Sequence, residues 1–145
     1  MGKRRKAREN ALQILFQLEF NNTRVEEIIT QFWKDKKTSQ EIREYATWLV
    51  KGIISHQEEI NKLIQSISDH WRLSRMALID RNILRTAVFE LLYEETIAPA
   101  IVINEAIEIA KKYSSDEAAA FVNGILDAIR KKLEQGKHSS KERKR

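Results

Sequence analysis

The stretch from Pro99 to Leu133 carries two apolar stripes at helical spacing with a capping signal between them, a pattern that asks for two helices on a common core. Val102, Ala106, Ile109 and Tyr113 recur at intervals of 4, 3 and 4, flanked by Ile103, Ile107 and Ala110, and so form one wide apolar helical face. Pro99 stands where this helix begins, because its fixed φ and missing N–H suit a first turn and would break an interior. Ser114 and Glu117 then form a Ser-x-x-Glu capping box, in which hydroxyl and carboxylate each satisfy an orphaned backbone N–H, so a second helix should restart there. Its core face is Ala118, Phe121, Val122, Ile125, Leu126, Ile129 and Leu133. Gly124 interrupts it at a cost of about 1 kcal/mol relative to Ala, which predicts a close approach of another backbone at this point.

The same periodicity runs through the rest of the chain. A first helix is expected from within the basic N-terminal run to about Phe20, burying Ala7, Ala11, Ile14, Leu15 and Leu18. A Thr23–Glu26 box opens a short helix with Val25, Ile28, Ile29 and Phe32, and a Thr38–Glu41 box opens a longer one with Ile42, Tyr45, Leu49 and Ile53. Gly52 and the polar residues 55–57 mark its end or a kink, after which Ile60, Leu63, Ile64 and Ile67 give a further helix. Residues 68–74 read as a connector anchored by Trp71. From about Met76 to Tyr93 apolar residues cover so much of the circumference that this helix should be the central, most buried one. With only four Gly and one Pro in 145 residues, there is little material for hairpin turns, so the expected class is all-α, about seven helices. After Glu134 the periodicity stops, and residues 135–145 are expected to form a disordered basic tail.

Several function classes find no support in the residues. There is no Cys, and His56, His70 and His138 lack metal-ligand spacing, so neither a metal nor another cofactor is expected. No Gly-rich phosphate loop, nucleophile elbow or βαβ pattern occurs, and the acidic pairs Glu58–Glu59 and Glu94–Glu95 read as solvated helix surface. Nothing demands catalysis. No apolar run approaches the roughly 20 residues of a membrane span, and Gln13, Gln17 and Glu19 interrupt any signal-peptide core, so a cytoplasmic protein is expected.

Charge is more informative. The net +5 divides into +4 at residues 1–10, +4 at residues 135–145 and −3 in the body between them. A mildly acidic body with two basic ends suggests a polyanion gripped at particular places. At 100° per residue, Arg5 and Phe16 return to within about 20° of the same helical face, with Arg8 and Leu12 between them. Guanidinium groups in line with a ring suit single-stranded nucleic acid, on phosphates and on a base respectively. Equally, Phe16 could belong to the core and the basic run could be a solvated helix end.

Three blocks extend this reading: residues 3–20 (KRRKARENALQILFQLEF), residues 79–93 (IDRNILRTAVFELLY), and the pair VINEAIEIAKKY with FVNGILD. In content, order and spacing they resemble the NusB family of transcription antitermination factors, across nearly the whole chain to about Lys132. The resemblance implies one NusB-like unit over residues 1–134, built as two small helical bundles of about residues 1–70 and 71–134. It also implies pairing with NusE, a small-subunit ribosomal protein, and binding of the boxA sequence in nascent ribosomal RNA within the transcription elongation complex. Lys3, Arg4, Arg5, Lys6 and Arg8 take the phosphate-contacting positions and Phe16 a position often aromatic in the family. Glu117, where relatives often have Asp, and Phe121 fall near the RNA-facing surface, and Asp80 and Arg81 fall where the family contacts NusE. Two alternatives stand beside this. A NusB-like domain also forms the N-terminal part of ribosomal RNA cytosine methyltransferases, although after Lys132 only a short tail is expected; and a self-associating helical module would make the basic start incidental.

Overall fold

The computed structural model describes residues 2–21, 23–68 and 73–143 of the chain. Seven α-helices make up the described residues: α1 Gly2–Phe20, α2 Val25–Trp33, α3 Gln40–Ser55, α4 Gln57–Ile67, α5 Leu78–Tyr93, α6 Pro99–Tyr113 and α7 Asp116–Arg143, with a single 3-10 turn at Leu73–Arg75. The expected anchor Trp71 lies outside the described residues.

Helix α5 is the axle. Its residues from Asn82 to Glu90 are all buried, and it packs against α1, α3, α4, α6 and α7. A helix buried on all sides has no solvent face to offer, so its neighbours must enclose it and give partners to its polar residues, Arg85 and Glu90 among them. α1 lies along α3, α6 lies along α7, and one apolar cluster takes side chains from all seven helices. Its fully buried members include Ile14, Leu49, Ile60, Leu84, Leu126 and Ile129.

The helix starts follow hydrogen-bonding opportunity more closely than they follow the capping-box pattern. Pro99 is in the first turn of α6, as its chemistry requires. At the two serine-containing starts the cap falls one residue later than predicted. Ser39 Oγ accepts from the Ile42 N–H at 3.3 Å, and Ser115 Oγ accepts from the Ala118 N–H at 2.9 Å. Ser114 instead closes α6. Where Ser follows Thr or Ser, either hydroxyl can serve, and the one whose backbone is extended at the helix start takes the role. The Thr23–Glu26 box does not form. Arg24 is the residue before α2, without a side-chain cap, and Glu26 and Glu27 in the first turn face the helix dipole.

α7 runs on to Arg143, where the sequence predicts an irregular tail from residue 135. Lys, Glu, Gln and Arg are good helix formers, and extending an existing helix needs no new nucleus.

The close approach expected at Gly124 occurs at Gly52. Nothing lies within 4 Å of a Cβ placed on Gly124, whereas one placed on Gly52 would enter the Phe89 ring. The glycine therefore lets α5 lay an aromatic side chain directly on the α3 backbone. Gly52→Ala is expected to cost about 1–3 kcal/mol through overpacking, while Gly124→Ala should stabilise by up to about 1 kcal/mol through helix propensity. Urea denaturation of the two variants checks both signs.

Candidate nucleic-acid interface

The basic residues of α1 do not form one equivalent row. Arg8 points inward, with a side chain 4 % exposed, and grips Glu90 of α5 through Nε at 2.7 Å and Nη2 at 2.8 Å. Tyr45 of α3 donates its hydroxyl to the same carboxylate at 2.6 Å, and Glu105 of α6 lies 3.6 Å from Arg8 Nη1. Burial works against the Arg8 charge, but Glu90 more than compensates and holds the guanidinium pKa above its usual value. The Tyr45 phenol is pushed up by burial and by the same carboxylate. Arg8, expected among the phosphate contacts, is thus a structural cation joining α1, α3, α5 and α6. A helical turn places it over the core because it shares a face with Ala11 and Leu15.

The remaining cations are progressively freer. Arg5, 34 % exposed, donates from Nε to Glu105 at 2.7 Å, leaving part of its guanidinium at the surface. Arg4 stacks over the Tyr45 ring at 3.9 Å and lies 3.5 Å from Glu94. Lys3 meets Glu41 in a pair exposed on both sides. Lys6 is exposed and has no ion pair among the described residues.

Further along α1 two rings stand in solvent. Phe16 is 47 % exposed and Phe20 65 %, packed edge-to-face with centroids 5.0 Å apart. This settles the position of Phe16: it lies outside the core.

The end of α6 adds a component that the periodicity conceals. Tyr113, predicted on the buried stripe, is 43 % exposed. Its hydroxyl and the Lys112 ammonium both donate to Glu9 of α1, at 2.9 and 2.8 Å. The bond to Glu9 raises the Lys112 pKa, and burial raises that of Tyr113. Glu9 is thereby neutralised, and a cation and a ring are tied beside the basic face of α1. The sequence signal was the Lys111-Lys112 pair at the helix C-terminus, where cations favour the dipole and a stripe residue is already leaving the core.

At the C-terminal end of α1, Glu19 receives Arg85 at 3.3 Å and Arg81 at 4.0 Å. Burial and the neighbouring Arg81 lower the Arg85 pKa. Among the described residues, Asp80 Oδ1 and Arg81 Nε are buried without a hydrogen-bond partner. The two residues as a whole are only half-buried, so part of each side chain lies at the surface at the start of α5. Glu117 is exposed in the first turn of α7, and Phe121 is half-buried against the core. His56 packs on Tyr93 with centroids 4.4 Å apart. Among the described residues no cluster of His, Asp and Glu is placed to hold a metal ion. Around α1 and the end of α6, cations and exposed rings lie side by side, and their chemistry is that of holding phosphates and stacking bases.

Residues 5–131 match the NusB family. The transcription antitermination protein NusB of Thermodesulfovibrio yellowstonii is 47 % identical over 139 residues, covering 89 % of this chain and 92 % of that protein. Among solved structures, T. maritima NusB superposes with a TM-score of 0.82 at 39 % identity, covering 88 % of this chain and 90 % of that one. A crystal structure of the antitermination factors NusB and NusE in complex with dsRNA superposes with a TM-score of 0.79 at 31 % identity, covering 90 % and 98 %.

Proposed function

Because the chain belongs to the NusB family, we propose that it is a non-catalytic, RNA-binding transcription antitermination factor that pairs with NusE and holds boxA-type RNA of nascent ribosomal transcripts. The single observation that carries the RNA half is the outer face of α1, where Lys3, Arg4, part of Arg5 and exposed Lys6 precede exposed Phe16 and Phe20. Cations fix a strand by its phosphates, and an exposed ring gives an unstacked base a partner. Lys112 and Tyr113 extend that surface onto α6. The known complex of a relative with NusE and RNA supports the pairing.

Asp80 and Arg81 are the partner side of the proposal. Both side chains are half-buried at the start of α5, and the parts of these charged groups that reach the surface are free to pair across an interface. An acidic body of net −3 with few free cations makes too few phosphate contacts for tight, selective binding alone. RNA and partner should therefore strengthen each other by the same factor.

The test is a titration of boxA-type and scrambled RNA with and without purified NusE. Selective binding that tightens with NusE is expected; equal binding of both RNAs in its presence overturns the reading. Asp80→Lys should weaken NusE binding at least tenfold, with a change in melting behaviour no larger than the loss of a helix-dipole contact, about 0.3–1 kcal/mol. Undiminished NusE affinity would place the partner elsewhere.

A further inference from the structure

The helices α3 and α5 present an aromatic ladder that meets α1 at Tyr45 and runs on beyond it. Tyr45, Trp48, Phe89, Tyr93 and His56 follow one another with ring centroids 5.4, 4.8, 5.1 and 4.4 Å apart. Phe89 is buried on Gly52, but Trp48 and Tyr93 remain 38 % and 39 % exposed. They line an open cleft of about 740 Å³ whose rim carries Arg43, Thr47, Lys51 and His56. A second hollow, about 260 Å³, runs from Lys3 and Arg4 past Tyr45 and shares Glu44 and Trp48 with the first. The basic end of α1 and the aromatic cleft are therefore continuous through one indole.

We propose that this cleft receives an unpaired nucleotide of the RNA strand that leaves the Lys3–Arg4 end of α1, stacked on Trp48, so that the RNA footprint extends beyond the α1 face. The inference rests on the RNA-binding reading above. Three features favour RNA over a protein segment. The cleft continues directly from the cationic helix end. Its floor is a graded set of rings, which accept any base face. Its edges are hydroxyl, imidazole and ammonium groups able to meet base edges and a phosphate. Charge itself is balanced: Lys3, Arg4, Arg43 and Lys51 face Glu41, Glu44, Glu59 and Glu94. Of these carboxylates Glu41 is occupied by Lys3, Glu44 by Gln40, Glu59 by Tyr93, and Glu94 by Thr96 and Arg4. Stacking must then supply the affinity, and its loss should leave the salt dependence unchanged.

The experiment compares boxA-type RNA with the same RNA extended by uridines at its 5′ or its 3′ end, binding to the full chain in the presence of NusE. One extension, and one only, should tighten binding by about 5- to 100-fold. Trp48→Ala should abolish that gain, keep the affinity for unextended RNA and keep the slope against salt; Trp48→Phe should restore most of it. Thermal melts confirm that both variants are folded, and Tyr93→Ala repeats the test from the far side of the cleft. No gain from either extension, or a gain that survives Trp48→Ala and Tyr93→Ala, overturns the proposal. A change in sedimentation of Trp48→Ala without a change in RNA affinity also overturns it, in favour of a second copy of this chain. Failure of the unextended RNA to bind the wild-type protein would instead refute the reading on which it rests.

Discussion

Arg8→Ala is expected to destabilise the fold by about 3–5 kcal/mol, the range for removing one partner of a buried ion pair. Glu90, 1 % exposed, would keep only the Tyr45 hydroxyl, with its charge otherwise uncompensated among apolar side chains. Nothing from solvent reaches it at low cost. Adding Glu90→Gln to the variant should recover a sizeable part of the loss, because a neutral amide can still accept from Tyr45 and no longer needs a cation. Urea denaturation of the two single variants and the double gives the coupling directly. RNA affinity measured on the folded protein should be almost unchanged by Arg8→Ala. A variant with near-normal stability and a large loss of RNA binding would return Arg8 to the phosphate-contacting set.

Arg8 also marks the boundary of what periodicity can show. The stripes of α1, α3, α5, α6 and α7 and the centrality of α5 follow from apolar spacing, because burying those stripes dominates the free energy and leaves one consistent packing. Polar residues on the same stripes are the difficult cases. A guanidinium at a core position reads as a surface charge until its carboxylates arrive from α5 and α6, 82 residues away in the case of Glu90. Tyr113 fails in the opposite sense: an apolar ring at stripe spacing sits at the last turn, where the helix is already diverging from the core and its hydroxyl can reach Glu9. The caps shifted by one residue because either of two successive hydroxyls can serve as N-cap even without a Glu three residues on, and only backbone geometry chooses between them. Gly52 and Gly124 are indistinguishable as interruptions of a helix. The approach of Phe89 separates them, and that approach is a tertiary fact.

With Arg8 committed to the core and Arg5 tied to Glu105, the cations able to exchange partners for phosphate are Lys3, Arg4 and Lys6. Replacing these three by Gln should leave the fold intact, since the Lys3–Glu41 pair is exposed on both sides and such pairs contribute about 0–1 kcal/mol. If each cation neutralises one phosphate of a single strand, the slope of log K against log salt becomes shallower by about 2, from about 0.7 for each phosphate. The same relation implies a loss of affinity of about 50-fold at 0.15 M salt and a difference that vanishes towards 1 M. Arg4 gives the result a second use. It must leave Glu94 to meet a phosphate, while its contact with the Tyr45 ring can persist, so Arg4→Lys should keep the salt slope and lose only the stacked guanidinium. Titrations with RNA at several salt concentrations, with NusE present throughout, measure both. A slope unchanged in the triple variant would show that the basic start of α1 does not touch RNA, and would move the phosphate contacts to Lys111 and Lys112 at the end of α6.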